Sequence, residues 1–258
     1  MTEMDRLVEV MRRLRAPDGC PWDREQTHES LKKNLIEEAA EYLDAVDAAD
    51  DAAMREELGD VLMQVVLHAV IAEERNAFDF QQVTKDIADK MVRRHPHVFG
   101  SEKVDSVSDV LTLWETVKKE EKQGKTPVVS ILARIPRSLP GLMRAEKMQK
   151  KAAKVSFDWQ DEAGVRAKLA EEFQEVQAAF DSGNDVAIDE ELGDLMFTIV
   201  NLARFRKRAS AEELLQRASD KFQRRFQWLE QRLAEQGKSP ADVSPEELDS
   251  LWKQAKNA

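Results

Sequence analysis

Four acidic residues placed symmetrically about a glycine constrain this chain more than any other feature. Residues 169–197 read LAEEFQEVQAAFDSGNDVAIDEELGDLMF. Apolar Leu169, Phe173, Val176 and Phe180 recur at helical spacing before Asp181-Ser182-Gly183-Asn184, and Leu192, Leu195, Met196 and Ile199 continue the pattern beyond it. The stretch predicts two antiparallel helices joined by a turn. Glu172 and Glu175 are three apart, as are Glu191 and Asp194, so each pair shares one helix face. Glu172 and Asp194 each stand eleven residues from Gly183, and Glu175 and Glu191 each stand eight. The pairs therefore fall at matching heights, and the four acids form a square in two layers, roughly 12 Å from the turn at about 1.5 Å per residue.

Four carboxylates that close repel one another, and a hard divalent cation removes the conflict. All-oxygen ligands favour magnesium, manganese or calcium, and magnesium characteristically completes its shell with water and substrate phosphate. The competing reading is that these acids coat solvated helix faces in a chain that is 34% charged. A second copy decides between them. Residues 35–63 read LIEEAAEYLDAVDAADDAAMREELGDVLM, with Glu38, Glu41, Glu57 and Asp60 each 134 residues ahead of Glu172, Glu175, Glu191 and Asp194. This copy is symmetric about Ala49. Gly59 maps onto Gly193. A glycine inside a helix costs about 1 kcal/mol relative to alanine, so its presence in both copies predicts close approach by a backbone or ligand.

Beyond the acidic sets Glu37-Glu38-x-x-Glu41 with Glu57-x-x-Asp60 and Glu171-Glu172-x-x-Glu175 with Glu191-x-x-Asp194, the chain carries GCPWD at 19–23, LPGLMRAEKMQKKAAKVSFDW at 139–159 and KFQRRF at 221–226. Taken together these motifs resemble the MazG family of nucleoside triphosphate pyrophosphohydrolases in its tandem two-domain form, and they span nearly the whole chain. The resemblance implies hydrolysis of a nucleoside triphosphate to the monophosphate and pyrophosphate, assisted by Mg2+ or Mn2+. It departs from the family at Ser156, where members usually have glycine. If that position takes a positive φ, serine weakens the turn by about 1 kcal/mol.

Composition fits this reading. The 258 residues suit two domains with cores of their own. A single cysteine, Cys20, precludes an intramolecular disulfide and fits a reducing cytoplasm; no helper histidine sits at a spacing that would make it a nucleophile. The opening MTEMDRLVEV has acids where a signal peptide needs basic and apolar runs. The longest nearly apolar run, 61–72, contains Gln64 and His68 and falls short of the roughly 18 residues needed to span a bilayer. A soluble, cytoplasmic protein is expected. A net charge of -11 argues against stable binding to duplex nucleic acid. The same charge means that a polyanionic substrate needs metal ions and local basic groups.

Read in order, an amphipathic helix over 3–15 is ended by Pro17 and Gly19, and Cys20-Pro21-Trp22-Asp23 follow as a loop. Trp22 is expected to plug a core, and Thr27 to N-cap the helix bearing Glu38 and Glu41. The run 61–72 is apolar on more than one face, so a second hairpin should pack on it in a four-helix arrangement, within or between chains. His68 reads as a satisfied core histidine. A helix over 78–94 stops at His95-Pro96-His97, which has no acid or cysteine cluster to make it a metal pair. A helix over 107–122 contains Trp114. The expected organisation is all-α: two tandem MazG-type helical-hairpin domains resembling four-helix bundles, at 1–122 and 138–258, joined by a linker at 123–137. The second opens with a basic helix over 138–154, and helices over 211–236 and 244–256 close the chain.

The catalytic acids expected are Glu171, Glu172, Glu175, Glu190, Glu191 and Asp194, with Glu172, Glu175, Glu191 and Asp194 on the metal; Glu38, Glu41, Glu57 and Asp60 are a second candidate metal set. The sequence does not say which acid is the general base. Lys168, one turn before Glu172, should meet phosphate. Glu171, Glu172, Glu190 and Asp194 are expected to contact substrate as well. Lys221, Arg224, Arg225 and Trp252 match family nucleotide contacts, and guanidinium groups suit triphosphate oxygens. In the first half their counterparts are Lys90, Arg93 and Arg94. The equivalent of Lys168 there is Asn34, which places most or all of the activity in the second half. The apolar faces of 61–72 and 195–203 predict a homodimer. A metal-stabilised scaffold without activity is the alternative, while a ferritin-like di-iron centre is disfavoured because neither hairpin has Glu-x-x-His.

Overall fold

The computed structural model describes residues 1–121 and 130–256, which contain helices and no strand. The chain separates into two compact units, Met1–Lys125 and Thr126–Ala258. Much of the expected linker, 123–137, and the last residue of the helix expected over 107–122 lie outside the described residues.

Unit 1 begins with α1 (Glu3–Arg15), whose first turn is closed by a reciprocal capping box between Thr2 and Asp5. The Cys20–Asp23 stretch, expected as a loop, instead starts a short helix, α2 (Pro21–Glu25). Proline at the first helical position loses no hydrogen bond, which is why the sequence permits it. Trp22 is 57% exposed, so it does not plug the core. Thr27 and Ser30 close a turn that precedes α3 (Lys32–Asp47), and Leu31 holds the N-cap position expected for Thr27. The first hairpin is α3, a turn through Ala49 at φ 54°, and α4 (Asp51–Glu74), capped by the Asp50 carboxylate on the amides of Ala52 and Ala53. After a capping box between Asp79 and Gln82 come α5 (Phe80–Arg94), α6 (Pro96–Phe99) and α7 (Val107–Glu120).

The core of unit 1 explains the apolar run on α4. Val66, Leu67, Ala69, Val70 and Ile71 pack with Val8 and Met11 of α1 and Phe80 of α5, so neighbouring helices of the same unit cover the run, where a second hairpin was expected. Leu31 is wholly buried in this cluster, a gain of roughly 1.5–3 kcal/mol over exposure. Arg12 on Glu73 and Arg15 on Glu74 tie α1 to the end of α4 at 2.6–3.0 Å. His68 is part-buried with its ring stacked on His28, and the two Nδ1 atoms are 2.8 Å apart. His95 packs edge-on to Trp114 and His97 lies beside it, an aromatic cluster with no acid in it.

Unit 2 opens with α8 (Gly141–Ala153), after which Ser156 takes φ 64°. The positive φ inferred from the family's glycine is therefore present, and a serine adopts it. The second hairpin is α9 (Glu162–Ser182), Gly183 at φ 65°, and α10 (Asp185–Arg206), whose first amides bond the Asn184 side chain. Then come α11 (Ala211–Ala234), begun by a Ser210–Glu213 capping box, and α12 (Pro245–Ala255), capped by Ser244. α8 and α11 pack on α10, with Val200, Ala203 and Ala211 buried against Leu142 and Ala145. The outer side of the hairpin keeps Phe173, Phe180, Met196 and Ile199 exposed.

Candidate active site

The mirror symmetry of the acids acquires a physical form in the two hairpins. Because α9 and α10 run antiparallel from Gly183, Glu175 and Glu191 meet at one level, and Glu172 lies a turn farther along α9. One oxygen from each of Glu172, Glu175 and Glu191 lies within 4.8 Å of the others. Glu172 is buried, at 4% exposure, while Glu175 is exposed and Glu191 intermediate. Asp194 stands outside this triad, one turn beyond Glu191 and close enough to act on its charge. Desolvation, and then the charges of Glu175, Glu172, Asp194 and Glu190, push the Glu191 carboxyl above the usual carboxylate range. The square read from the sequence is therefore a tight triangle with a fourth acid at its edge.

Lys168 sits on this triangle. Its Nζ is 2.6 Å from Glu171 Oε1, 2.9 Å from Glu172 Oε1 and 3.7 Å from Glu175 Oε2. Hydrogen bonds to Glu171 and then Glu172 raise its pKa, so the ammonium is fixed. Glu171 is exposed next to the cluster, and Glu190 is exposed on α10.

Unit 1 repeats the triad but not its cation. Glu38, Glu41 and Glu57 bring oxygens within 4.8 Å, and desolvation followed by the charges of Glu41, Asp60, Glu56 and Glu38 raises Glu57. Where unit 2 has Lys168, this unit has Asn34. Buried Gln64 reaches Glu38 Oε1 at 3.5 Å, a contact that spacing along one helix could not have revealed.

At Gly59 and Gly193 one of the two alternatives falls away: a Cβ built on either meets nothing within 4 Å, so among the described residues no backbone approaches them, and the ligand alternative stands. Both faces are open.

The basic groups also differ between the units. Arg93 and Arg94 both bind Glu121, at 2.8 and 2.7 Å, and hydrogen bonds from Arg94 and Arg93 hold the Glu121 carboxyl down to about 2. Their counterparts Lys221, Arg224 and Arg225 make no ion pair among the described residues. Trp252 packs on Phe222 of α11, ring centroids 5.0 Å apart. Among the described residues no hydrogen bond or ion pair joins Lys221, Arg224, Arg225 or Trp252 to the acid triad. Glu121 lies 27 residues from Arg94, beyond any helical periodicity, so the sequence held no signal for that pair.

The donor set suits a hard cation: carboxylates alone, close together, partly buried and electrostatically strained. Comparison with known proteins agrees with the geometry. The family model described as "MazG nucleotide pyrophosphohydrolase domain" matches twice, over residues 26–99 and 160–229. The chain is 44% identical over 262 residues to the nucleoside triphosphate pyrophosphohydrolase of Escherichia coli K12, covering 99% of this chain and 98% of that one. It is also 44% identical over 252 residues to the nucleoside triphosphate pyrophosphohydrolase/pyrophosphatase MazG of Thermotoga maritima, covering 98% and 95%. Two matched copies, each containing one acidic hairpin, and relatives alike over their whole length establish that this chain belongs to the MazG nucleotide pyrophosphohydrolase family.

Proposed function

We propose that the α9–α10 hairpin carries out this chain's reaction, hydrolysis of a nucleoside triphosphate to the nucleoside monophosphate and pyrophosphate. The observation that carries the assignment is the convergence of Glu172, Glu175 and Glu191, with the Lys168 ammonium on Glu172 and Glu175. Water adds to the α-phosphorus, the bond to the bridging oxygen breaks, and pyrophosphate leaves with that oxygen. A divalent cation, magnesium or manganese, held by Glu172, Glu175, Glu191 and Asp194 would neutralise the acids and polarise phosphate oxygens. Lys168, released from Glu171 and Glu172, turns its ammonium to the phosphate chain. Glu171 and Glu190 flank the cluster as acids able to orient or deprotonate the attacking water.

Lys221, Arg224 and Arg225 supply further charge to the triphosphate, and their lack of ion pairs among the described residues supports that role. A second copy of the chain covers Phe173, Phe180, Met196 and Ile199, which are exposed on the hairpin. A cytoplasmic location fits the lone Cys20; among the described residues, no helix is long and apolar enough to cross a membrane.

In unit 1 the reading changes. Its triad lacks a lysine, and its arginines are held by Glu121, both of which favour a structural or regulatory hairpin there. The test is a pair of double variants assayed for AMP and pyrophosphate from ATP with magnesium. Glu172→Gln with Glu175→Gln should eliminate turnover while the helical circular dichroism stays intact; Glu38→Gln with Glu41→Gln should leave most of it. The reverse pattern would move the active site to unit 1. Sedimentation showing a stable monomer at micromolar concentration would remove the dimer from this account.

A further inference from the structure

We propose that the cleft between α5 and α7 in unit 1 is a binding site for inorganic pyrophosphate, occupied in the free chain by the Glu121 carboxylate. The cleft measures about 930 Å3, and Lys90, Arg93, Arg94, Thr116, Val117 and Glu121 are among its lining residues. That is within the size range of small-molecule pockets. It is a second anion site, in the unit whose hairpin lacks a lysine.

Helical spacing builds the basic wall. Lys90, Arg93 and Arg94 stand at i, i+3 and i+4 on α5 and so share one face, while Thr116 and Val117 of α7 form the opposite wall. Glu121, just past the end of α7, places an anion in this cradle. Its Oε1 accepts from Arg93 Nε at 2.8 Å, its Oε2 accepts from Arg94 Nη2 at 2.7 Å, and Arg94 Nε reaches both oxygens at 3.3 and 3.2 Å. The Glu121 side chain is only 16% exposed between the two guanidinium groups. Paired guanidinium forks of this kind also suit phosphate oxygens.

A carboxylate leaves the cradle underfilled. Its two oxygens serve two guanidinium groups, and the third cation, Lys90, makes no ion pair among the described residues. Pyrophosphate carries more charge than a carboxylate, spread over two tetrahedral groups that can meet Arg93, Arg94 and Lys90 together. Its arginines hold the Glu121 carboxyl at about 2, so the internal anion stays ionised at neutral pH and gives way to a stronger anion rather than to protonation. Being tethered, it competes at a high effective concentration. Glu102 and Glu120, both exposed, also line the cleft and repel anions. The affinity of the unaltered chain is therefore well below that of the freed cradle.

What the cleft lacks decides against a nucleotide. No aromatic side chain lines it among the described residues. Trp114 of α7 is turned to its own neighbours: Lys118 Nζ stands 5.5 Å from the centre of its ring, and His95 meets it in a T-shaped contact with centroids 5.1 Å apart. A base finds no face to stack on here. The cleft therefore reads phosphate groups alone, in contrast to Lys221, Arg224 and Arg225 of unit 2, which Trp252 accompanies. Pyrophosphate is also the leaving group of the reaction proposed for unit 2; that link rests on the proposed reaction, whereas the binding site does not.

The experiment is isothermal titration calorimetry of the full chain with inorganic pyrophosphate in EDTA, which keeps cations off both acid triads. Wild type should bind weakly and Glu121→Gln about tenfold more tightly, the worth of roughly one charge-assisted contact. Arg94→Met added to Glu121→Gln should cancel the gain. Arg93 is half-exposed, so Arg93→Met in the same background remains decisive if circular dichroism shows that Arg94→Met unfolds. AMP, with one phosphate and a base, should gain little from Glu121→Gln. No binding by wild type at millimolar pyrophosphate, no gain in Glu121→Gln, a gain that survives loss of the arginine, or an equal gain for AMP overturns the proposal. If the gain appears and is cancelled as stated but the wild type makes no pyrophosphate from any nucleoside triphosphate, the site stands and the proposed reaction falls.

Discussion

Ala49 and Gly183 occupy the same left-handed position in the two hairpins, with φ 54° and 65°. Each is the residue about which its acids are symmetric, so the chain makes the same turn twice with different chemistry. An alanine in that region strains against its own Cβ, whereas glycine does not. No atom lies within 4 Å of a Cβ at Gly183, so only the backbone dihedral matters there. Ala49→Gly should stabilise unit 1 by about 1 kcal/mol, and Gly183→Ala should destabilise unit 2 by about the same. Urea unfolding of the two variants measures both signs; a Gly183→Ala change within a few tenths of a kcal/mol would mean that the turn relaxes to another conformation.

Lys168 supports a second expectation. Its ammonium contacts three carboxylates, so in Lys168→Met those acids face one another uncompensated. The variant should melt at a lower temperature than wild type without metal and regain more stability on adding magnesium, because the cation then replaces the lost charge. Turnover should fall with it. Equal magnesium-induced shifts in both proteins would separate Lys168 from the metal site.

The hairpins and their acid faces are legible in the sequence because helical spacing and chain reversal are local rules: fixed offsets place Glu172 beside Glu175, and Gly183 with Asn184 marks the turn. Lys168 follows from the same offsets. What such rules do not reach is pairing between distant segments. His28 lies 40 residues from His68, and Asp158 lies 46 from Arg204; neither pair leaves a periodic trace. Trp22 misleads for a related reason. A large aromatic residue favours burial on average, but its position on a five-residue helix, Pro21–Glu25, leaves it without neighbours deep enough to bury it.

Glu121 supports a third. Held by Arg94 and Arg93, its carboxyl lies at about 2, below its ordinary value of 4.5. A depressed carboxylate contributes stability that is present above its unfolded pKa and lost as pH falls through the folded value, here from about 4.5 down to about 2. Glu121→Gln should remove that part of the acid dependence of unit 1. It should also free both arginines, so in a chain already carrying Glu172→Gln and Glu175→Gln it should increase retention of ATP with magnesium several-fold. Equilibrium dialysis reads the gain, and no increase would mean that the arginines face away from any nucleotide.

His68 supports a fourth, of opposite origin. Desolvation, and then the neighbouring His28 charge, lower its pKa from 6.5. The unfolded chain therefore takes up this proton first, so the stability is intact above about pH 6.5 and declines as pH falls toward the depressed folded value. Thermal melts of wild type between pH 7 and 5 should show this loss, and His68→Phe should flatten it. An identical slope in the variant would assign the acid sensitivity elsewhere.

The length of α10, Asp185–Arg206, has a consequence for how such a chain can diversify. Its opening turns hold Glu191 and Asp194 in phase with the facing helix, and losing one residue ahead of them would rotate both by about 100° and misplace the charge. Its closing turns, past Phe197, are not bound by that phase and face a cavity at Asn201 and Arg204. Substitutions there can reshape that cavity without shifting the acids. One continuous rod thus separates the part of the molecule that selection must hold still from the part it can vary.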